Sequence, residues 1–346
     1  GYAAMAFSAS RGKGLSFDEG VQLAVGYNIW LHDDYRVEGA NGDLVKRWAT
    51  LPYLVSQPVF LGQQDPLWQN ADSYEFGRRF FFGLGNRPES LLQQGRAMMV
   101  LLGVATGWLV FDWAREIFGW IGGLLSLGLF AFSPHMLAFG GIVSTDMAII
   151  LMLLASTGCI WRLLHVLTLG RVLGSLACFG LLLLAKMTAL VILPITGILL
   201  VGRFVMGQPL EWRWRGRSGR IASRSGQAAV FAGLILLHAL AGWAAIWAHY
   251  DFRYVATPPA SGLHPTLRAQ SVQDGRPGAF LQAVRWSREA RLFPEGYLRG
   301  VEWLLGTDDK LPAFMAGRAK LGGWRTFFPY AIWVKTQPTL FVLLGL

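Results

Sequence analysis

The chain is short of charge, of cysteine and of paired histidine, and each shortage removes a class of protein. Only 15% of its 346 residues are charged, against 53% hydrophobic. A soluble domain of this length needs more charge to cover its surface, and its apolar runs are shorter. The two cysteines, Cys159 and Cys178, sit in apolar stretches without metal-ligand spacing, so no disulfide framework exists and both read as packing residues. Six histidines (His32, His135, His165, His238, His249 and His264) include no pair at i, i+4. There is no phosphate-binding P-loop, no dinucleotide glycine fingerprint and no nucleophile elbow, which argues against soluble nucleotide chemistry.

What is present is a series of apolar blocks rich in aromatics, with 15 Trp and 22 Phe. Several approach the roughly 17–25 residues that a helix needs to cross about 30 Å of hydrocarbon. Inside hydrocarbon every backbone N–H and C=O must be paired within the segment, so helices are expected; solid apolar blocks are not the short alternating strands of a barrel. The fold class expected is all-α, a polytopic transmembrane bundle. Helices are predicted at 1–10, 96–113, 117–137, 147–164, 172–185, 188–201 and 227–249, with a last one beginning near Thr326. Two long polar segments, 11–95 and 250–325, interrupt them. The first mixes aromatics with charge around Phe76 to Phe82, which suits a helix lying in the membrane interface. Residue 1 is Gly, and the chain stops inside an apolar run, so both ends read as helices cut from a longer single catalytic domain.

The formal net charge of +10 does not point to nucleic acid in such a setting, because Arg beside apolar helices marks the cytoplasmic membrane face. The short segment 203–224 carries Arg203, Arg213, Arg215, Arg217, Arg220 and Arg224 against a single Glu211, and is assigned to that face. Counting back through the spans puts Arg115, Glu116 and the 162–171 loop there too. Segments 11–95 and 250–325, the turn 144–146 and Lys186 fall on the extracytoplasmic side.

Three groups of residues on that outer face could carry chemistry. Asp18 and Glu19 are adjacent carboxylates at a membrane boundary, where repulsion and desolvation favour a raised pKa in one of them, as a general base for a hydroxyl requires. Their bland reading is an acidic helix start. Asp146 stands in Ser144-Thr-Asp146 between two spans, where helix capping is the competing role. Lys46, Arg47, Arg78, Arg79, Lys186, Arg253 and Lys335 could meet a phosphate, or could equally be interface residues with extended stems. The spans themselves are nearly free of charge, which favours surface catalysis over the alternative, a transporter or flippase.

In order along the chain stand Phe17-Asp-Glu-Gly20, Asp34-Tyr-Arg36, Leu51-Pro52, Ala114-Arg-Glu-Ile-Phe-Gly119, Ala131-Phe-Ser-Pro134, Ser144-Thr-Asp146 and Leu184-Ala-Lys-Met-Thr188. Tyr297-Leu-Arg-Gly300, Phe327-Phe-Pro329 and Lys335-Thr-Gln-Pro338 follow. No single motif is specific, but the ordered set resembles the polyprenyl-phosphate-sugar-dependent membrane glycosyltransferases, the superfamily of the protein O-mannosyltransferases and the lipid A aminoarabinose transferase. The resemblance implies a catalytic role for Asp18 or Glu19, with Asp146 as a second acidic residue, and a lipid phosphate held by Lys46, Arg253 and Lys335. It implies an inverting transfer to a protein, lipid or glycan acceptor on the extracytoplasmic side of the inner membrane. No cofactor is required; a divalent metal is compatible with the reaction, though no ligand cluster indicates one. Three positions depart from the pattern: Asn41-Gly-Asp-Leu44 replaces Asn-Pro-Pro-Leu, Phe139 stands where His is frequent, and Gln337 interrupts Lys-Thr-Pro.

Overall fold

The long apolar runs become helices whose exposed sides are as apolar as their cores, because lipid rather than water is their solvent. The computed structural model describes all residues except 40, 259–278, 308–311, 337 and 346; His264 and Gln337 lie outside the described residues. In chain order the elements begin with α1 (Tyr2–Arg11), α2 (Phe17–His32), α3 (Asp43–Ala49), α4 (Tyr53–Ser56), α5 (Pro66–Asn70) and α6 (Ser73–Phe82). Then come α7 (Pro88–Ala131), α8 (Pro134–Gly140), α9 (Thr145–His165), β1 (Val166–Thr168) and α10 (Leu169–Ala185). A 3₁₀ turn (Met187–Val191) leads into α11 (Ile192–Met206), β2 (Leu210–Trp214), β3 (Arg217–Ile221) and α12 (Arg224–His249). The described chain closes with α13 (Ala279–Glu289), α14 (Glu295–Thr307), β4 (Pro312–Met315), β5 (Arg318–Leu321), α15 (Phe327–Lys335) and α16 (Pro338–Leu344).

Among the described residues, the segments Pro88–Ala131, Thr145–His165, Met187–Met206 and Arg224–His249 are long and apolar enough to cross a membrane, and Leu169–Ala185 is a shorter apolar helix. The segment α7 is not one straight rod. Gly119 has φ 75° and ψ −175°, a conformation that costs glycine little, and the chain reverses there. The two legs then face each other: Phe111 packs on Trp120 with ring centroids 5.5 Å apart, and a Cβ on Gly107 would sit 3.0 Å from the Phe130 ring. The expected spans on either side of residues 115–116 are therefore a helical hairpin without a loop.

The polar segment 11–95 is a folded cap. Its α2 is buried from Glu19 to Ile29, and Tyr27, Tyr53, Phe60, Phe76 and Phe80 form an aromatic nest beside it. Edge-to-face contacts such as Tyr27–Tyr53 at 5.6 Å add about 0.5–1.5 kcal/mol each beyond their buried area. Trp68, fully buried, donates its indole N–H to Asn28 Oδ1 at 2.9 Å. Two glycines set close approaches. A Cβ on Gly26 would lie 2.2 Å from the Lys46 carbonyl, and one on Gly42 would lie 2.3 Å from that of Leu184. The glycine in Asn41-Gly-Asp-Leu44 thus lets the cap seat on the end of α10.

At this end of the bundle Val143 N–H donates to Glu19, Thr145 to Asn41 and Lys186 to Asp146, and Tyr250 donates to Asp43. At the opposite end Arg162 bridges to Glu116, and Arg203 donates to the Leu164 carbonyl. There β1 pairs in parallel with β2, which pairs antiparallel with β3. The all-α expectation therefore holds for the frame, with two small sheets added: β1-β2-β3 and the β4–β5 hairpin.

Candidate active site

Asp18 and Glu19, adjacent in sequence, have opposite fates, since neighbours on a helix point about 100° apart. Ser16 begins α2, and its N–H donates to Glu19 Oε2 at 3.0 Å, the capping-box contact expected of Glu three residues into a helix. Glu19 Oε1 also accepts from Val143 N at 3.1 Å and from Arg96 Nε at 2.8 Å, and Oε2 accepts from Arg96 Nη2 at 2.7 Å. Arg96 spends its remaining donors on the carbonyls of Ser10, Lys13 and Gly14. Both side chains are sealed, at 0% and 1% exposure. Burial alone would push the Glu19 carboxyl up, but Arg96 and the two backbone N–H groups outweigh it and hold the pKa below the ordinary value. The raised carboxyl expected of this pair is therefore not found at Glu19, whose oxygens are closed to a substrate.

Asp18 is exposed and lines a cavity of about 290 Å³. Gln22 of α2, Glu38 and Asn41 of the following loop, Ser73 and Tyr74 of α6, and Arg299 and Trp303 of α14 share that cavity. Arg36 also lines it but spends most of its donors elsewhere. Its guanidinium grips Asp34 at 2.9 and 2.8 Å, donates to the Trp68 and Gln69 carbonyls and stacks on the Trp68 ring. Arg299 is differently placed. It donates to the Arg36 carbonyl at 2.9 Å and forms no ion pair among the described residues. Glycines bring it there: a Cβ on Gly300 would lie 2.2 Å from the Gly39 carbonyl, so α14 lies directly on Gly39.

Asn41 connects this cavity to the second acidic position. Its Nδ2 donates to Glu38 Oε1 at 3.1 Å, and its Oδ1 accepts from Thr145 at 3.5 Å. The cap of α9 is Ser144, whose hydroxyl accepts from Asp146 N. The Asp146 carboxylate is thus free of capping and takes Lys186 Nζ at 2.7 Å, with 38% of its side chain exposed. Lys335, at the end of α15, is exposed.

The remaining cations have structural partners. Lys46 is fully buried, bonded to Glu38 at 2.8 Å and Asp43 at 2.9 Å. Burial alone would lower its pKa, but those carboxylates more than offset it and the ammonium is held above its ordinary value. The ammonium expected to meet a phosphate is thus enclosed with two carboxylates in this structure. Arg253 donates to the Asp33 carbonyl and sits 3.2 Å from its carboxylate, outside the cavity that holds Asp18. Sequence reasoning did not assign Arg299, Asn41 or Trp303 to the site, although Arg299 stands inside a motif it had noted, Tyr297-Leu-Arg-Gly300.

A bundle of helices long and apolar enough to cross a membrane, capped at one end by a folded polar layer, is the architecture of a multi-pass membrane protein. Residues 81–216 match the family model described as dolichyl-phosphate-mannose-protein mannosyltransferase. Over that part, which is less than half of the chain, the protein is similar to that family. No curated protein and no solved structure gives a match.

Proposed function

We propose that the cavity beside Asp18 is where a polyprenyl-phosphate-linked sugar is transferred, with inversion, to an acceptor hydroxyl on the extracytoplasmic face of the inner membrane. The observation that supports this most is the meeting of Asp18, from the start of the chain, with Arg299, from near its end, in one cavity. Asp18 takes the proton of the acceptor hydroxyl, whose oxygen forms a bond to the anomeric carbon while the bond from that carbon to the phosphate oxygen breaks. The departing phosphate is a good leaving group and needs no general acid, unlike the leaving groups of the two-carboxylate glycosidases. What it needs is positive charge placed where its own charge grows, and Arg299 offers donors for that purpose. Lys186, bonded to Asp146, and the exposed Lys335 carry positive charge for a lipid phosphate emerging from between the helices. Glu19, Lys46 and Arg253 are positioning residues: they hold α2, α3 and the start of the 250–258 stretch in register around the cavity.

The test is incubation of the protein in lipid with a panel of radiolabelled polyprenyl-phosphate sugars. Release of free polyprenyl phosphate, abolished by Asp18→Asn and by Arg299→Gln while insertion is retained, is the expected result. Turnover that survives Asp18→Asn would end the assignment of the base, and failure of every donor would end the reading of the cavity.

A further inference from the structure

The opposite end of the bundle carries a second cavity, which no step of sugar transfer uses. It is a groove of about 660 Å³ between α10, α12 and the β2–β3 hairpin. We propose that it binds an anionic glycerophospholipid of the adjoining leaflet, one acyl chain in the groove and the phosphate on Arg217.

The hairpin is two-faced by the period of its strands. Trp212 and Trp214 alternate with Glu211 and Arg213, and cross-strand pairing sets Arg217 opposite Trp214 and Gly219 opposite Trp212. Gly219 is small for a reason: a Cβ there would lie 2.8 Å from the Trp212 ring. Both tryptophans and Ile221 line the groove, and Arg213 and Arg217 stand among its lining residues. Its far wall is one stripe of α12, with Val230, Gly233, Leu234 and Leu237 at the i, i+3, i+4, i+7 spacing of a single helix face. That stripe descends about 10 Å along an apolar membrane-crossing helix, so what occupies it is hydrocarbon. Nothing lies within 4 Å of the Cβ position of Gly233, which leaves the floor open.

Charge selects the headgroup. Glu211 is the single acid of the hairpin, and Arg220 at 3.0 Å and Arg213 at 3.6 Å share it. Arg215, Arg217 and Arg224 make no ion pair among the described residues. The surplus is positive at the depth of lipid phosphates, where aromatic and arginine side chains are at home. A zwitterionic headgroup would leave this surplus unanswered.

The experiment measures phospholipid retained by the full chain in detergent, by native mass spectrometry, with phosphatidylglycerol and phosphatidylcholine of identical acyl chains in competition. At about 1 kcal/mol for one guanidinium near the lipid surface, Arg217 predicts a preference of roughly fivefold for phosphatidylglycerol. Arg217→Gln should remove the preference while leaving some retention, and Gly233→Leu should fill the groove and reduce retention of both lipids. Equal retention of the two lipids by the unmodified protein would overturn the proposal, whatever the variants do. Stronger retention of a polyprenyl phosphate than of phosphatidylglycerol, or a dimer that the variants dissociate, would overturn it equally. None of these outcomes depends on the Asp18 cavity, because α9 separates the two ends by about 30 Å.

Discussion

Replacing Glu19 by glutamine tests the division of labour between two adjacent carboxylates. The Glu19 side chain accepts four hydrogen bonds, two of them from Arg96, and neither partner is more than 1% exposed. The Glu19→Gln change would keep the volume but would leave the guanidinium buried without its counter-charge, which costs about 3–5 kcal/mol. If all 346 residues unfolded together, the entropy of unfolding would be about 0.7 kcal/mol per degree, so the melting temperature should fall by roughly 4–7 °C. Arg96→Met should do the same, and the double variant should cost less than the sum, because neither charge is then left alone. The assay is thermal unfolding in detergent followed by tryptophan fluorescence, run beside donor turnover. Asp18→Asn, at an exposed position, should leave the melting temperature within about 1 °C while abolishing turnover. A Glu19→Gln protein that melts with the parent, or an Asp18→Asn protein that melts far below it, would refute the assignment of clamp and base.

Acidification should separate the same residue. Because the folded Glu19 carboxyl lies below its ordinary value of about 4.5, its contribution is complete above that value and is lost as pH falls through the lower folded one. The parent should therefore lose more stability than Glu19→Gln between neutral pH and about pH 3, read as the difference between their melting curves. Gly26→Ala and Gly42→Ala force a Cβ against backbone carbonyls and should cost at least about 1–3 kcal/mol, seen as aggregation on size exclusion, whereas Gly62→Ala, with open space around it, should behave as the parent. Lys186→Met breaks a partly exposed pair and should shift stability by no more than about 1 kcal/mol, yet raise KM for the lipid donor several-fold.

The frame of the molecule was readable because apolar runs of spanning length have one stable outcome, and α9 and α12 follow their blocks closely. The cap was not. The stretch Val21–Leu31 is apolar enough to bury, yet its place in a polar segment between spans concealed a helix that forms the centre of the cap. Charges were found but not their partners. Nothing in spacing pairs Glu19 with Arg96 or Lys46 with Glu38, since those contacts arise only when elements pack. The family match has the same boundary: it covers residues 81–216, the helical scaffold, while Asp18 and Arg299 stand on either side of it. Their meeting depends on glycines at 39 and 300, whose value shows only once α14 is laid against the loop.

The turn at Gly119 bears on how the two legs of α7 stay together. A reversal made by one residue leaves almost no chain between the descending and returning legs, with the charges of Asp112, Arg115 and Glu116 just ahead of it. A side chain that forbids the glycine's geometry would pull the legs apart and undo the Phe111–Trp120 contact that zips them together.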